Sequence, residues 1–279
     1  MRKLAAVLSV LTLAACGGSS TVAVPKGVTF RVEQARQDLQ NRNFEMQVVN
    51  RSAKPITVSR VELTSSRLKR PAIYHGPATI GPGATTNLTF AMSTASCGKG
   101  IDATAKVRYR VGTGDSVTSV VRPKDHDGSV ALFMKRDCAQ QSLRKTVIDP
   151  TFTRTGTGPD SVLRVGVTFT PRANGGPVAI GPLDGTTLLK PSPGSNFDHT
   201  VAAGSAPYHA FIELIPNRCD VHVVAEDRTG ATLPLHVESR QSGKAFFFLK
   251  FNEAQKTQIF DFIANHCEFG KKQDPLNAP

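Results

Sequence analysis

The chain has 279 residues, of which 39% are hydrophobic and 20% charged, with no Trp. That balance excludes a disordered chain and a multi-span membrane protein, and the length allows one or two globular domains. The formal net charge of +12 is segregated: residues 21–145 carry 20 Lys and Arg against 9 Asp and Glu, and residues 146–279 carry 12 against 13.

The chain opens with Arg2 and Lys3, followed by a short apolar run over residues 4–13. The run is far below the ~20 residues of a spanning helix, so residues 1–15 read as a cleaved export signal. The sequence Leu13-Ala14-Ala15-Cys16, with Gly17, Gly18, Ser19 and Ser20 behind it, resembles the lipobox of bacterial lipoproteins. That resemblance implies lipidation of Cys16 and attachment to the extracytoplasmic face of the cell membrane, with residues 16–27 as a linker.

Beyond the linker, period-two alternation with β-branched residues predicts strands over 28–32, 44–50, 56–63, 85–91, 103–111, 117–122 and 130–134. The plan then repeats. The segment 163–169 resembles 44–50, and 204–211 leads to Cys219 as 83–90 leads to Cys97. Likewise 245–249 precedes Cys267 as 130–134 precedes Cys138. Such density of short strands, present twice, predicts an all-β chain of two tandem immunoglobulin-like β-sandwiches, over residues 28–145 and 146–267. One C-terminal helix is expected at 253–266, with Ile259, Phe260, Phe262 and Ile263 on its apolar face. Residues 144–150 read as a short junction between the domains, and 268–279 as a polar flexible tail.

Four cysteines follow Cys16, and outside the cytoplasm an even number reads as disulfides with three possible connectivities. A zinc site is disfavoured because no C-x-x-C pair is present. The duplication selects Cys97–Cys138 and Cys219–Cys267, one bridge inside each copy.

The motifs of the common enzyme classes are missing: no G-x-S-x-G, H-E-x-x-H, P-loop or G-x-G-x-x-G occurs. Gly114-Asp115-Ser116 reads as a hairpin turn. The stretch 217–230, NRCDVHVVAEDRTG, reads as the start of a second hairpin. In that register, with the loop at 228–230, His222 lies opposite His236 on an outer face. Glu226 and Glu238 lie some 13 Å along the strands, too far to complete a metal site.

In the first copy, alternation turns Ala103, Ala105, Val107 and Tyr109 inward and leaves Lys106, Arg108 and Arg110 as an outward basic stripe. Arg67, Lys69 and Arg70 form a second cluster in a loop. Outside the cell these six point to anionic lipid headgroups or acidic wall polymers rather than nucleic acid.

Arg218-Cys219-Asp220, His222, Ala225-Glu226-Asp227, Gly230 and Pro234-Leu235 resemble a block found in lipoproteins or exported proteins of high-GC Gram-positive bacteria. This resemblance implies an exported, disulfide-bonded β domain and transfers no catalytic residues. The combined expectation is a non-enzymatic, lipid-anchored envelope protein that binds or scaffolds at an anionic surface, without cofactor or metal. A solute- or metal-binding receptor lipoprotein is the alternative.

Overall fold

A computed structural model describes residues 21–269, except 40, 99–102, 145, 156–157, 174, 221, 223–226 and 228–231, and except the side chains of 147, 152, 154 and 158. The expected signal, Cys16 and the residues beyond 269 therefore lie outside the described residues.

Residues 21–121 build the first sandwich. Strands β1 (Val28–Glu33), β2 (Asn43–Asn50) and β5 (Thr85–Ala91) form one antiparallel sheet in the order β1-β2-β5. Strands β3 (Ile56–Thr64), β4 (Ala72–Ile80), β6 (Thr104–Val111) and β7 (Val117–Val121) form the other, in the order β4-β3-β6-β7. Alternation drives the layering: Phe44, Met46 and Val48 from one sheet, and Val58, Val61 and Leu63 from the other, are fully buried between them.

The second sandwich repeats this order. Strands β8 (Thr146–Thr155), β9 (Val162–Pro171) and β13 (Tyr208–Pro216) take the places of β1, β2 and β5, with β11 (Leu189–Pro191) added at the β13 edge. The opposing sheet runs β12-β10-β14-β15, from β10 (Val178–Leu183), β12 (His199–Val201), β14 (Leu233–Ser239) and β15 (Gly243–Leu249). The first copy is thus a seven-strand, immunoglobulin-like sandwich in which β4 pairs with β3 instead of β5, and the second copy repeats it with β12 on β10 and the added β11. The all-β, two-sandwich expectation holds.

Three local expectations are corrected. Residues 130–134 are not a strand; they belong to helix α1 (Ser129–Leu143). After Val130 the segment contains no β-branched residue and is rich in Ala, Leu, Met, Lys, Arg and Gln, which favour helix. Asp125 starts it, its carboxylate oxygens accepting from the backbone N–H groups of Ser129 and Val130 at 2.7 and 3.0 Å. The first copy therefore has its own counterpart to the C-terminal helix α2 (Glu253–His266), which forms as expected behind an Asn252–Gln255 capping box.

In the first copy, the strand that alternation missed is β4. Gly76 and Pro77 interrupt it, but β4 is an edge strand and the ladder shifts register between Val58 and Arg60, where proline is tolerated. Glycine is required there because a Cβ on Gly76 would lie 2.6 Å from the Val58 carbonyl oxygen.

The third correction concerns the hairpin of the second copy. His236 pairs in register with Phe246 on β15, and β10 occupies the other edge of β14. Both edges are taken, so the His222–His236 rung does not form. The hairpin equivalent to β6–β7 is β14–β15, one strand later than alternation suggests.

Helix α1 joins the two bodies. Val130, Phe133, Met134 and Cys138 enter the first core, and Ala139 and Leu143 enter the second. The helix lies along β15, and Ser142 Oγ meets Ser239 Oγ at 2.9 Å. The expected junction at 144–150 is largely the start of β8.

Candidate functional site

Both expected disulfides are present. Cys97 bonds Cys138 and Cys219 bonds Cys267, closing spans of 41 and 48 residues. Their placement is equivalent in the two copies. Each ties the loop after the fifth strand (β5 or β13) to the helix that follows the last strand.

The basic stripe is real and exposed. Ala105, Val107 and Tyr109 are buried, while Lys106, Arg108 and Arg110 face outward from β6. Arg60 joins them on β3, directly across from Arg108, and Glu62 lies across from Lys106. Arg60 and Glu62 are also paired at 3.3 Å. Glu62 thus offsets one charge, and the face stays cationic. Alternation alone found the stripe on β6; Arg60 was missed because a bulge changes the alternation of β3 at that point.

The loop cluster sits elsewhere. Residues 65–71 connect β3 to β4 at the Thr104 end of β6, whereas Arg110 lies at the other end, beside the turn to β7. Six residues of strand separate Thr104 from Arg110, a distance of ~20 Å. Lys69 and Arg70 are exposed, but Arg67 turns back and donates from Nε to the Ser96 carbonyl at 3.0 Å. The six expected contacts therefore form a stripe and a separate end cluster.

The chain enters the first sandwich beside the stripe. Thr21 forms a parallel bridge with Thr118, and the Val22 N–H donates to the Thr118 carbonyl at 3.0 Å. The buried Ser119 hydroxyl donates to the Val22 carbonyl at 2.6 Å and meets the Tyr109 hydroxyl at 2.9 Å. Thr118 is the register partner of Arg108. The N-terminal segment is thus docked two strand spacings from the stripe, ~10 Å.

Gly114-Asp115-Ser116 occupies the β6–β7 turn, as expected, and the Ser116 hydroxyl accepts from Arg108 Nε at 3.3 Å. His236 Nε2 meets Asp184 Oδ1 at 2.8 Å, and its ring packs on Phe246 with centroids 4.4 Å apart. Among the described residues, no group of three or more His, Cys, Asp or Glu side chains is placed to hold a metal ion.

The same face of the second sandwich has opposite chemistry. Where β6 and β3 present cations, β14 and β15 present Pro234, Phe246 and Phe248, which are partly buried and face α1 and residues 36–39 of the first sandwich. Between them lies a cleft of about 490 Å³.

Comparison with protein-family models and with curated proteins finds no match. Among solved structures the chain is similar to the transglutaminase of red sea bream, at 10% identity and a TM-score of 0.24, over 81% of this chain and 32% of that one. It is also similar to CBD12 from CALX1.2, at 13% identity and a TM-score of 0.21, over 71% and 74%. The CupB2 chaperone of Pseudomonas aeruginosa matches at 13% identity and a TM-score of 0.19, over 75% and 93%. Likeness at this level carries no function, and the fold assignment rests on the strand order itself.

Proposed function

We propose that this chain is a non-enzymatic binding or scaffolding module of the cell envelope. It is held at a membrane through acylated Cys16 and rests on an anionic surface by the outer β3–β6–β7 face of its first sandwich. The observation that supports this reading is the docking of Thr21 beside Thr118, across from Arg108. Thr21 lies only five positions after Cys16, an extended reach of at most ~18 Å. A tether that short, leaving from the edge of the basic sheet, keeps Lys106, Arg108 and Arg110 close to the headgroups. Each contributes about 1 kcal/mol there, decaying within a Debye length of ~8–10 Å.

The test uses the full mature chain with Cys16→Ser and vesicles of pure phosphatidylcholine or of phosphatidylcholine with phosphatidylglycerol. Binding is expected to the anionic vesicles alone, falling steeply with salt. The triple variant K106E/R108E/R110E loses it, and R67E/K69E/R70E loses less. Equal binding to neutral vesicles, or no effect of the stripe variant, refutes the surface reading. Release of the protein from membranes by Cys16→Ser tests the anchor separately.

A further inference from the structure

We propose that the cleft between the two sandwiches is a binding site for a single-chain amphiphilic anion. Its apolar body would lie on Phe246, Phe248, Leu39 and Leu132, with its carboxylate or phosphate head at Arg36 and Arg136.

The size of the cleft, about 490 Å³, falls in the ~300–1,000 Å³ range of small-ligand sites. Its walls come from elements that belong to different bodies: residues 36–39 and α1 on one side, β14, β15 and residues 184–187 on the other. The apolar wall exists because Phe246 and Phe248 sit on outward positions of β15, across from His236 and Pro234 of β14. Leu132, 47% exposed, faces the same space from the first turn of α1. An exposed leucine opposite two half-buried phenylalanines is apolar surface that water covers poorly.

The charges in and beside the cleft decide the sign of the occupant. Asp184 is engaged by His236, and Asp137, in the narrow pocket behind, is engaged by Arg42. Among the described residues, neither Arg36 nor Arg136 has a carboxylate partner; Arg136 donates to the neutral Gln34 side-chain oxygen. Burial pushes the Arg136 guanidinium down to about 10, so it remains charged at neutral pH in surroundings that solvate it poorly. An anionic head restores that solvation. Guanidinium groups suit carboxylate and phosphate because their N–H donors match two oxygens at once. Thr187 lines the same cleft.

The site is independent of the membrane-facing stripe, which lies on the first sandwich's own sheet face. The probe is dodecanoate, below its micelle concentration, titrated calorimetrically into the full mature chain with Cys16→Ser. Expected is saturable binding at one per chain, matched by dodecyl phosphate. Dodecyltrimethylammonium, with the opposite head charge, is not expected to compete. Arg36 is exposed and, among the described residues, its side chain has no ion-pair partner, so Arg36→Gln leaves the thermal transition unchanged and weakens dodecanoate about tenfold, the loss of one charge-assisted contact. Arg136→Lys retains more affinity than Arg136→Gln, and Phe248→Ser removes binding. The stripe variant K106E/R108E/R110E binds dodecanoate normally even where it has lost vesicles. The proposal is overturned if dodecanoate does not saturate, if Arg36→Gln binds it unchanged, if the cationic amphiphile competes, or if acetate binds equally well.

Discussion

Arg42 and Asp137 form the charged clamp that holds the first sandwich to its helix. Arg42 stands at the start of β2 with a positive φ of 66°, and Asp137 lies on α1, 3% exposed. The guanidinium pairs with Asp137, donates to the carbonyls of Met92 and Ser93 at 3.1 and 2.8 Å, and lies over the Phe133 ring at 5.0 Å. Asp137 also accepts from the Ala95 N–H at 2.7 Å and from Gln141 at 3.0 Å. The carboxylate thus orders the loop carrying Cys97 from a position next to Cys138.

Removing Arg42 strands the buried Asp137 carboxylate, whereas the Arg42 side chain is 30% exposed. Arg42→Ala is expected to destabilise the first sandwich by about 3–5 kcal/mol, since a buried ion pair broken on one side costs that much. Urea melts of Asp137→Ala, Arg42→Ala and the double variant should show the double losing less than the sum, by about 1–3 kcal/mol. Simple additivity would mean that the two residues do not act as a pair.

The disulfides should not be equally important. On the chain-entropy model, loops of 41 and 48 residues each contribute about 4 kcal/mol. The Arg42–Asp137 clamp holds the Cys97 loop even when reduced. C97A/C138A should therefore lower the unfolding free energy less than C219A/C267A. The reverse order in denaturant melts contradicts this account of the clamp.

Gly166 has a packing reason to be glycine. It pairs with Phe211 on one side and Thr151 on the other. A Cβ there would lie 2.9 Å from the Phe211 ring and 2.6 Å from Thr151 Oγ1. Arg164 covers the other part of that exposed ring at 4.3 Å. Gly166→Ala is expected to cost about 1–3 kcal/mol as an overpacking change. Adding Phe211→Ala should return part of it, which thermal melts of the two variants measure.

Glu45 is a carboxylate in an unfavourable place. Partial burial raises it above the ordinary Glu range, helped by the charges of Glu33, its register partner, and of Asp38. A raised folded pKa means that the folded state holds the proton more tightly. Its contribution is therefore favourable below the unfolded value near 4.3 and is lost as pH rises through the folded value. Glu45→Gln should accordingly stabilise at pH 7, by no more than about 0.5 kcal/mol because the group is largely solvated. The gain should vanish below pH ~4. A variant less stable than wild type at pH 7 would show that its hydrogen bond from Asn87 outweighs the repulsion.

Periodicity by itself determined the all-β class, the duplication, the disulfide pairing and the inward and outward faces of β6, because each depends on residues near in sequence or on an internal repeat. Strand alternation at 44–50 or 104–111 needs no partner to be recognised. It misread 130–134, where an apolar run of five has no period and the decision lay with the helix-forming residues that follow and with the Asp125 cap. It missed β4, whose Gly76 and Pro77 are tolerable only at a bulged edge. The hairpin register of the second copy went wrong for a related reason: His222 and His236 alternate well enough, but strand pairing is set by which neighbours occupy each edge, and β10 and β15 fill both. The docking of Thr21 on β7, the sharing of α1 between two cores, and the cleft that joins Arg36 and Arg136 to Phe246 and Phe248 were decided only by tertiary structure. Those residues lie up to about 200 positions apart, and nothing local encodes a distance between groups that meet only when two sandwiches pack on one helix.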